Sequence, residues 1–84
     1  MSIEETLTEK IREEFGENVP DLEIDPDTRL IDEAVIDSLG VFMVIAFLEE
    51  RFGLELEPDE VTFDNFATVR AIADLVRAKQ ATVS

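Results

Sequence analysis

Apolar residues recur at every fourth position where the chain begins, at Ile3, Leu7, Ile11 and Phe15. That spacing draws one buried stripe along an α-helix, and Glu4, Glu9, Arg12 and Glu13 fill the other directions as a solvated face does. Ser2 and Glu5 have the spacing of a capping box and Gly16 is a stop signal, so a first helix is predicted between them. The periodicity dissolves over residues 17–36, where Pro20 and Pro26 act as breakers. Val19, Leu22, Ile24, Leu30, Ile31, Val35 and Ile36 lie scattered among acids in this stretch. So long a loop in a small domain is expected only where it is functional or pinned by its own side chains, and these apolar residues supply the pins.

Asp37 is a good N-cap, and residues 38–52 run without a breaker except Gly40 until Gly53 supplies a stop, which predicts a second helix. After Pro58, Thr62 is placed to cap a single turn containing Phe63 and Phe66, a brief third helix. Thr68 can cap a last helix in which Val69, Ile72, Ala73 and Val76 follow the i, i+3, i+4, i+7 pattern. Arg77 and Lys79 then sit near the negative end of its dipole, and the polar tail from Gln80 is expected to fray. The expected fold class is all-α: a four-helix bundle with a long first loop and a short third helix, in a single domain over residues 1–84.

The absence of Cys and His changes what this bundle can do. No disulfide or tetrahedral zinc site can staple it, so burial must hold the fold. No Ser-His-Asp constellation or thiol nucleophile can be built, and the only lysines, Lys10 and Lys79, lie near the two ends. No pair among the 21 acids has a spacing that singles it out, so the chain is expected not to be an enzyme. No metal site is expected either. Asp25 and Asp27 open like a calcium loop, but Arg29, Leu30 and Ile36 stand where a third acid, the turn glycine and the bidentate Glu belong.

Against 21 acids there are seven Lys and Arg, for a formal charge of −14. The charge is uneven: residues 1–66 are net −16 and residues 67–84 net +2. Such a surface repels phosphate backbones and anionic headgroups, which argues against nucleic-acid and membrane partners. It suits basic protein partners, and it equally suits plain solubility. No apolar run is long enough to span a bilayer and the N-terminus lacks a secretory pattern, so a cytoplasmic protein is expected.

Asp37-Ser38-Leu39, where the long loop enters the second helix, is by itself an ordinary helix start. Its surroundings make it more. Ile36-Asp37-Ser38-Leu39-Gly40, a helix closing on Leu48-Glu49-Glu50-Arg51-Phe52-Gly53, then Leu56, Pro58 and Thr68 before an amphipathic helix, together resemble the acyl carrier protein family over essentially the whole chain. The resemblance implies that Ser38 carries a covalent 4'-phosphopantetheine arm, added from coenzyme A by a phosphopantetheinyl transferase, with Asp37 and Leu39 beside it. A phosphodiester on the first turn of a helix sits near unpaired N–H groups and the positive end of the dipole. The arm brings its own thiol, so acyl intermediates travel as thioesters and the protein needs no Cys.

By the same resemblance, ligases, synthases and transferases with basic docking surfaces meet a monomeric carrier at the start of the second helix and the loops beside it. Asp37, Leu39, Met43, Glu49, Glu50, Asp59 and Glu60 are the candidate contacts. The second helix departs from the family in being uncharged over residues 40–48. A small bundle buries only one side of such a helix, so some of Val41, Met43, Ala46 or Phe47 should be exposed. That apolar face suits a specialised docking partner, a larger core, self-association or a cargo pocket. The expected cargo is an acyl group of a specialised lipid, polyketide or secondary-product pathway. The alternatives are an aminoacyl or peptidyl group, or an unmodified acidic adaptor; the stretch Asp64-Asn65-Phe66-Ala67-Thr68 resembles carriers dedicated to amino acids or secondary products and leaves acyl and aminoacyl cargo both open.

Self-repulsion at −14 on so small a surface should loosen the fold at low ionic strength. Sodium or magnesium chloride is therefore expected to raise the melting temperature in a thermal scan, and a melting point indifferent to salt would show the acids to be already neutralised.

Overall fold

The computed structural model describes residues 2–82. Helix α1 spans Ile3–Phe15 and opens where Ser2 Oγ accepts the Glu5 N–H at 3.1 Å. The capping box is half formed, because the Glu5 carboxylate accepts from the Ser2 hydroxyl at 3.3 Å. Leu7, Ile11 and Phe15 are buried as the four-residue repeat predicted, with Ile3 packed at the edge of the core.

The long loop begins with a 3₁₀ turn, Gly16–Asn18, and is fixed in two ways. Ile24, Leu30, Val35 and Ile36 are buried, and Val19, Leu22 and Ile31 pack against that core. Hydrogen bonds across long stretches of chain do the rest. The Arg12 guanidinium holds the Ile24 carbonyl at 2.6 and 3.0 Å, and Asn18 Nδ2 reaches the Val35 carbonyl at 3.2 Å. The Leu30 N–H donates to the Ala67 carbonyl at 2.8 Å, and the Arg70 N–H to the Pro26 carbonyl at 2.9 Å.

Helix α2, Ser38–Phe52, starts at Asp37 and stops at Gly53, whose φ of 64° is the left-handed conformation that favours glycine. Its buried stripe is Gly40, Val44 and Leu48. A 3₁₀ turn, Pro58–Glu60, leads into helix α3, Phe63–Phe66, a single turn capped by Thr62. Helix α4, Val69–Thr82, begins where Thr68 Oγ1 accepts the Ala71 N–H at 3.0 Å. Val69, Ile72, Ala73 and Val76 are completely buried. The architecture is all-α, and no strand occurs among the described residues.

Fraying from Gln80 is not observed, because α4 stays helical through Thr82, with Val83 and Ser84 outside the described residues. The three cations of this last segment explain how α4 is held. Arg70 grips Asp27 through two bonds of 2.7 and 3.1 Å, Arg77 pairs with Glu4 of α1, and Lys79 reaches Glu60 at 2.8 Å. Each cation holds its partner carboxyl below the ordinary carboxylate range, chiefly through the hydrogen bond itself.

Among the described residues one buried side-chain group has no hydrogen-bond partner, the Thr8 hydroxyl on the inner face of α1. Replacing it with an apolar group of the same shape removes a desolvation cost without opening a cavity. Thr8→Val should raise stability by roughly 1 kcal/mol, read as an upward shift of about 4–8 °C in melting temperature.

Candidate cofactor-attachment site

Ser38 is the first residue of α2 and is exposed. Its position is set by what precedes it. The Val35 and Ile36 N–H groups both donate to the Leu30 carbonyl, at 2.8 and 3.1 Å, which folds the end of the loop into a tight turn over the core. Within that turn Ala34 takes φ 58°, a left-handed conformation that a residue with a Cβ rarely adopts. Ile36 is then buried, and Asp37, in extended conformation, places its Oδ1 2.8 Å from the Gly40 N–H as the helix cap.

Gly40 is required at this point for space rather than for its own dihedral freedom. A Cβ there would lie 3.1 Å from Ile36 Cβ, 3.2 Å from the Phe15 ring and 3.4 Å from Asp37 Oδ1. The first turn of α2 therefore rests directly on the end of α1 and the end of the loop.

The chemistry available to Ser38 is limited. Among the described residues no hydrogen bond reaches its hydroxyl, and the one neighbouring carboxylate, Asp37, is occupied as the cap. No base is hydrogen-bonded to the oxygen among the described residues. The backbone N–H groups of Ser38 and Leu39 have no intrahelical acceptor and form, with the helix dipole, a setting that favours an anion. Two apolar depressions flank the hydroxyl. One, of about 340 Å³, is lined by Ile31, Ala34, Ile36 and Val41. The other, of about 290 Å³, lies between α2 and α3 among Val41, Phe42, Val61 and Phe63.

The remaining candidate residues separate into two groups. Leu39 and Met43 stand out from α2, 69% and 45% exposed, while Glu50 and Asp59 are open to solvent. Glu49 and Glu60 are engaged inside the molecule. The Glu49 carboxylate accepts the Leu56 N–H at 3.1 Å, and Glu60 Oε1 accepts both Lys79 and the Glu57 N–H at 2.8 Å.

Of the four α2 residues among which some were expected at the surface, Met43 and Ala46 are exposed, while Val41 and Phe47 lean on the core. Two aromatics that the sequence reading passed over flank Ser38: Phe42, 67% exposed, and Phe63, 53% exposed. The spacing of Phe42, four residues after Ser38, was the available signal, since it puts both on one side of the helix.

Residues 5–76 match the family model described as a phosphopantetheine attachment site. The chain belongs to that family. Its members hold 4'-phosphopantetheine covalently and are carriers rather than catalysts. An exposed serine at a helix entrance, with open N–H groups and an apolar surround, fits such an arm. Among curated proteins, the carrier is 38% identical over 80 residues to the D-alanyl carrier protein of Streptococcus pyogenes serotype M5, covering 95% of this chain and 98% of that one. It is 37% identical over 57 residues to the D-alanyl carrier protein of Abiotrophia defectiva, covering 68% of this chain and 72% of that one. Carriers of this family work with a phosphopantetheinyl transferase and with ligases. Among the described residues no helix of the carrier is long and apolar enough to cross a membrane.

Because Ile36 is buried and Phe15 nearly so, neither can retreat from a methyl group at position 40. Gly40→Ala should therefore destabilise the carrier by roughly 1–3 kcal/mol despite alanine's better helix propensity. Denaturant unfolding checks this, and an alanine variant more stable than wild type would show the entrance of α2 to be loosely packed.

Proposed function

We propose that Ser38 is the residue that carries 4'-phosphopantetheine and that the cargo is an aminoacyl group held as a thioester on the arm. The observation that carries the first half is the exposed Ser38 hydroxyl at the start of α2, beside N–H groups with no acceptor of their own. A transferase moves the arm from coenzyme A to Ser38 Oγ, and the arm then supplies the thiol that the chain lacks. Asp37 keeps the first turn of α2 formed, and the Ser38 and Leu39 N–H groups offset the charge of the phosphodiester.

The cargo half reverses the order suggested by the motifs alone, in which lipid and polyketide acyl groups came first. What supports it is likeness along nearly the whole chain to proteins named D-alanyl carriers. D-alanine, activated by an adenylating ligase and passed to the thiol, is accordingly the first cargo to test. Transferase and ligase dock on the exposed residues around the arm, Asp37, Leu39, Met43, Glu50 and Asp59. Glu49 and Glu60 act on docking indirectly, by holding the segment before Pro58 and the turn before α3 in shape. The carrier works as a single domain, as a monomer in the cytoplasm.

Incubation with coenzyme A and a broad-specificity phosphopantetheinyl transferase should add one cofactor mass to wild type and none to Ser38→Ala, read by intact-protein mass spectrometry. The loaded protein should then accept D-alanine from a D-alanine-adenylating ligase. Modification that survives in Ser38→Ala would overturn the attachment site. Loading by fatty acyl ligases but by no aminoacyl-adenylating enzyme would overturn the cargo.

A further inference from the structure

Helix α2 also borders an apolar groove on the side away from Ser38. It lies between α2 and α1 and encloses about 290 Å³. Leu7, Ile11 and Phe15 of α1 and Val44 of α2 form its floor, and Met43, Ala46 and Phe47 form the α2 wall. At about 100° per residue, Met43 points roughly 140° around the α2 axis from Ser38. An occupant of this groove leaves the attachment site uncovered.

The rims are acidic, with Glu14 on α1 and Glu50 on α2. Lys10 crosses the opening, its Nζ 2.9 Å from Glu14 Oε1 and 5.2 Å from the centre of the Phe47 ring, while Arg51 stands in the adjoining depression and turns to the Phe52 ring. Both Lys10 contacts are exposed and therefore weak and exchangeable. An ammonium or guanidinium from another molecule can take the place of Lys10 between the acid and the ring, while apolar side chains on the same molecule fill the floor. From Leu7 to Phe15 the groove runs roughly 12 Å, enough for a little over two turns of helix.

We propose that the α1–α2 groove is a docking surface for a basic amphipathic helix of a partner protein, which inserts an apolar stripe and displaces Lys10 with its own cation. Charge selects this occupant over the others. A second copy of the chain would bring another −14 to the same surface, and a fatty acid would set its carboxylate beside Glu14 and Glu50. A partner held here leaves the Ser38 hydroxyl uncovered but covers Met43 and Glu50, so it alternates with the enzymes that dock on those two residues and holds the carrier between their visits. The surface is a property of the two helices and does not depend on what Ser38 carries.

The test uses the full chain as Ser38→Ala, so that no arm takes part, and leaves the attachment reading to mass spectrometry of wild type. The probe is a 14-residue peptide of Leu and Lys arranged as an amphipathic helix, followed by fluorescence anisotropy and amide chemical shifts. Shift changes should centre on residues 7–15 of α1 and on Met43, Ala46 and Phe47. Ala46→Gln, which alters the exposed wall without altering charge, should weaken binding by about five-fold or more. Lys10→Ala should tighten binding by about three-fold relative to Arg29→Ala, which removes an equal charge from an exposed position in the loop. Shift changes centred on Leu39, Phe42 and Phe63, or spread over all the acids, would overturn the proposal. So would equal effects of Lys10→Ala and Arg29→Ala, a dimer in sedimentation whose interface is this groove, or decanoate shifting these residues where the peptide does not.

Discussion

Leu30 is the point at which the separate parts of this molecule are tied together. Its side chain is fully buried, its N–H is bonded to Ala67 between α3 and α4, and its carbonyl takes the N–H groups of both Val35 and Ile36. One residue in the middle of an irregular segment thus joins the loop, the α3–α4 junction and the entrance of α2. The position of Ser38 depends on that knot more than on any helix. A surface serine stays in one place because six residues later than Leu30 the chain is already committed to Ile36 in the core and Asp37 at the cap.

The helices were readable because each is written in a short code. Four-residue spacing placed the buried stripe of α1, and Asp37, Thr62, Thr68, Gly16 and Gly53 marked ends that the structure uses as ends. The entrance of α2 was readable for a similar reason, since the cap Asp37 and the closely packed Gly40 lie within four consecutive positions. The loop's hydrogen bonds were not, because Arg12 to Ile24 and Leu30 to Ala67 join segments whose proximity exists only after folding. Helix α2 was the hardest to orient. A helix apolar on every side has no polar face to mark solvent, so hydropathy alone did not give Phe42 rather than Val41 the exposed place, and only its four-residue spacing from Ser38 pointed to it. The cargo was illegible on chemical grounds, because the carrier touches it through an arm that is not part of the chain.

Charge, which looked at first like a uniform surplus, has a division of labour. Arg70, Arg77 and Lys79 bind acids drawn from the loop, from α1 and from the turn before α3, so the last helix fastens three earlier segments. Lys10 and Glu14 instead pair at the rim of a groove, where the bond can be given up to a visitor. Similar contacts by distance therefore serve construction in one place and exchange in another. What separates them is whether the partners are distant in sequence or one helical turn apart.

Ala34, with its left-handed backbone four residues before Ser38, has a bearing on how the carrier is inspected by successive enzymes. Glycine would occupy that conformation without strain, whereas alanine is disfavoured in it, so the angle at which the chain enters α2 is imposed by the Leu30 carbonyl bonds and the burial of Ile36 against the local preference of residue 34. The carrier gives up a little comfort for a fixed angle of presentation. Each visiting enzyme then finds the same doorway, and fidelity in a relay of hand-overs can rest on geometry set before any of them arrives.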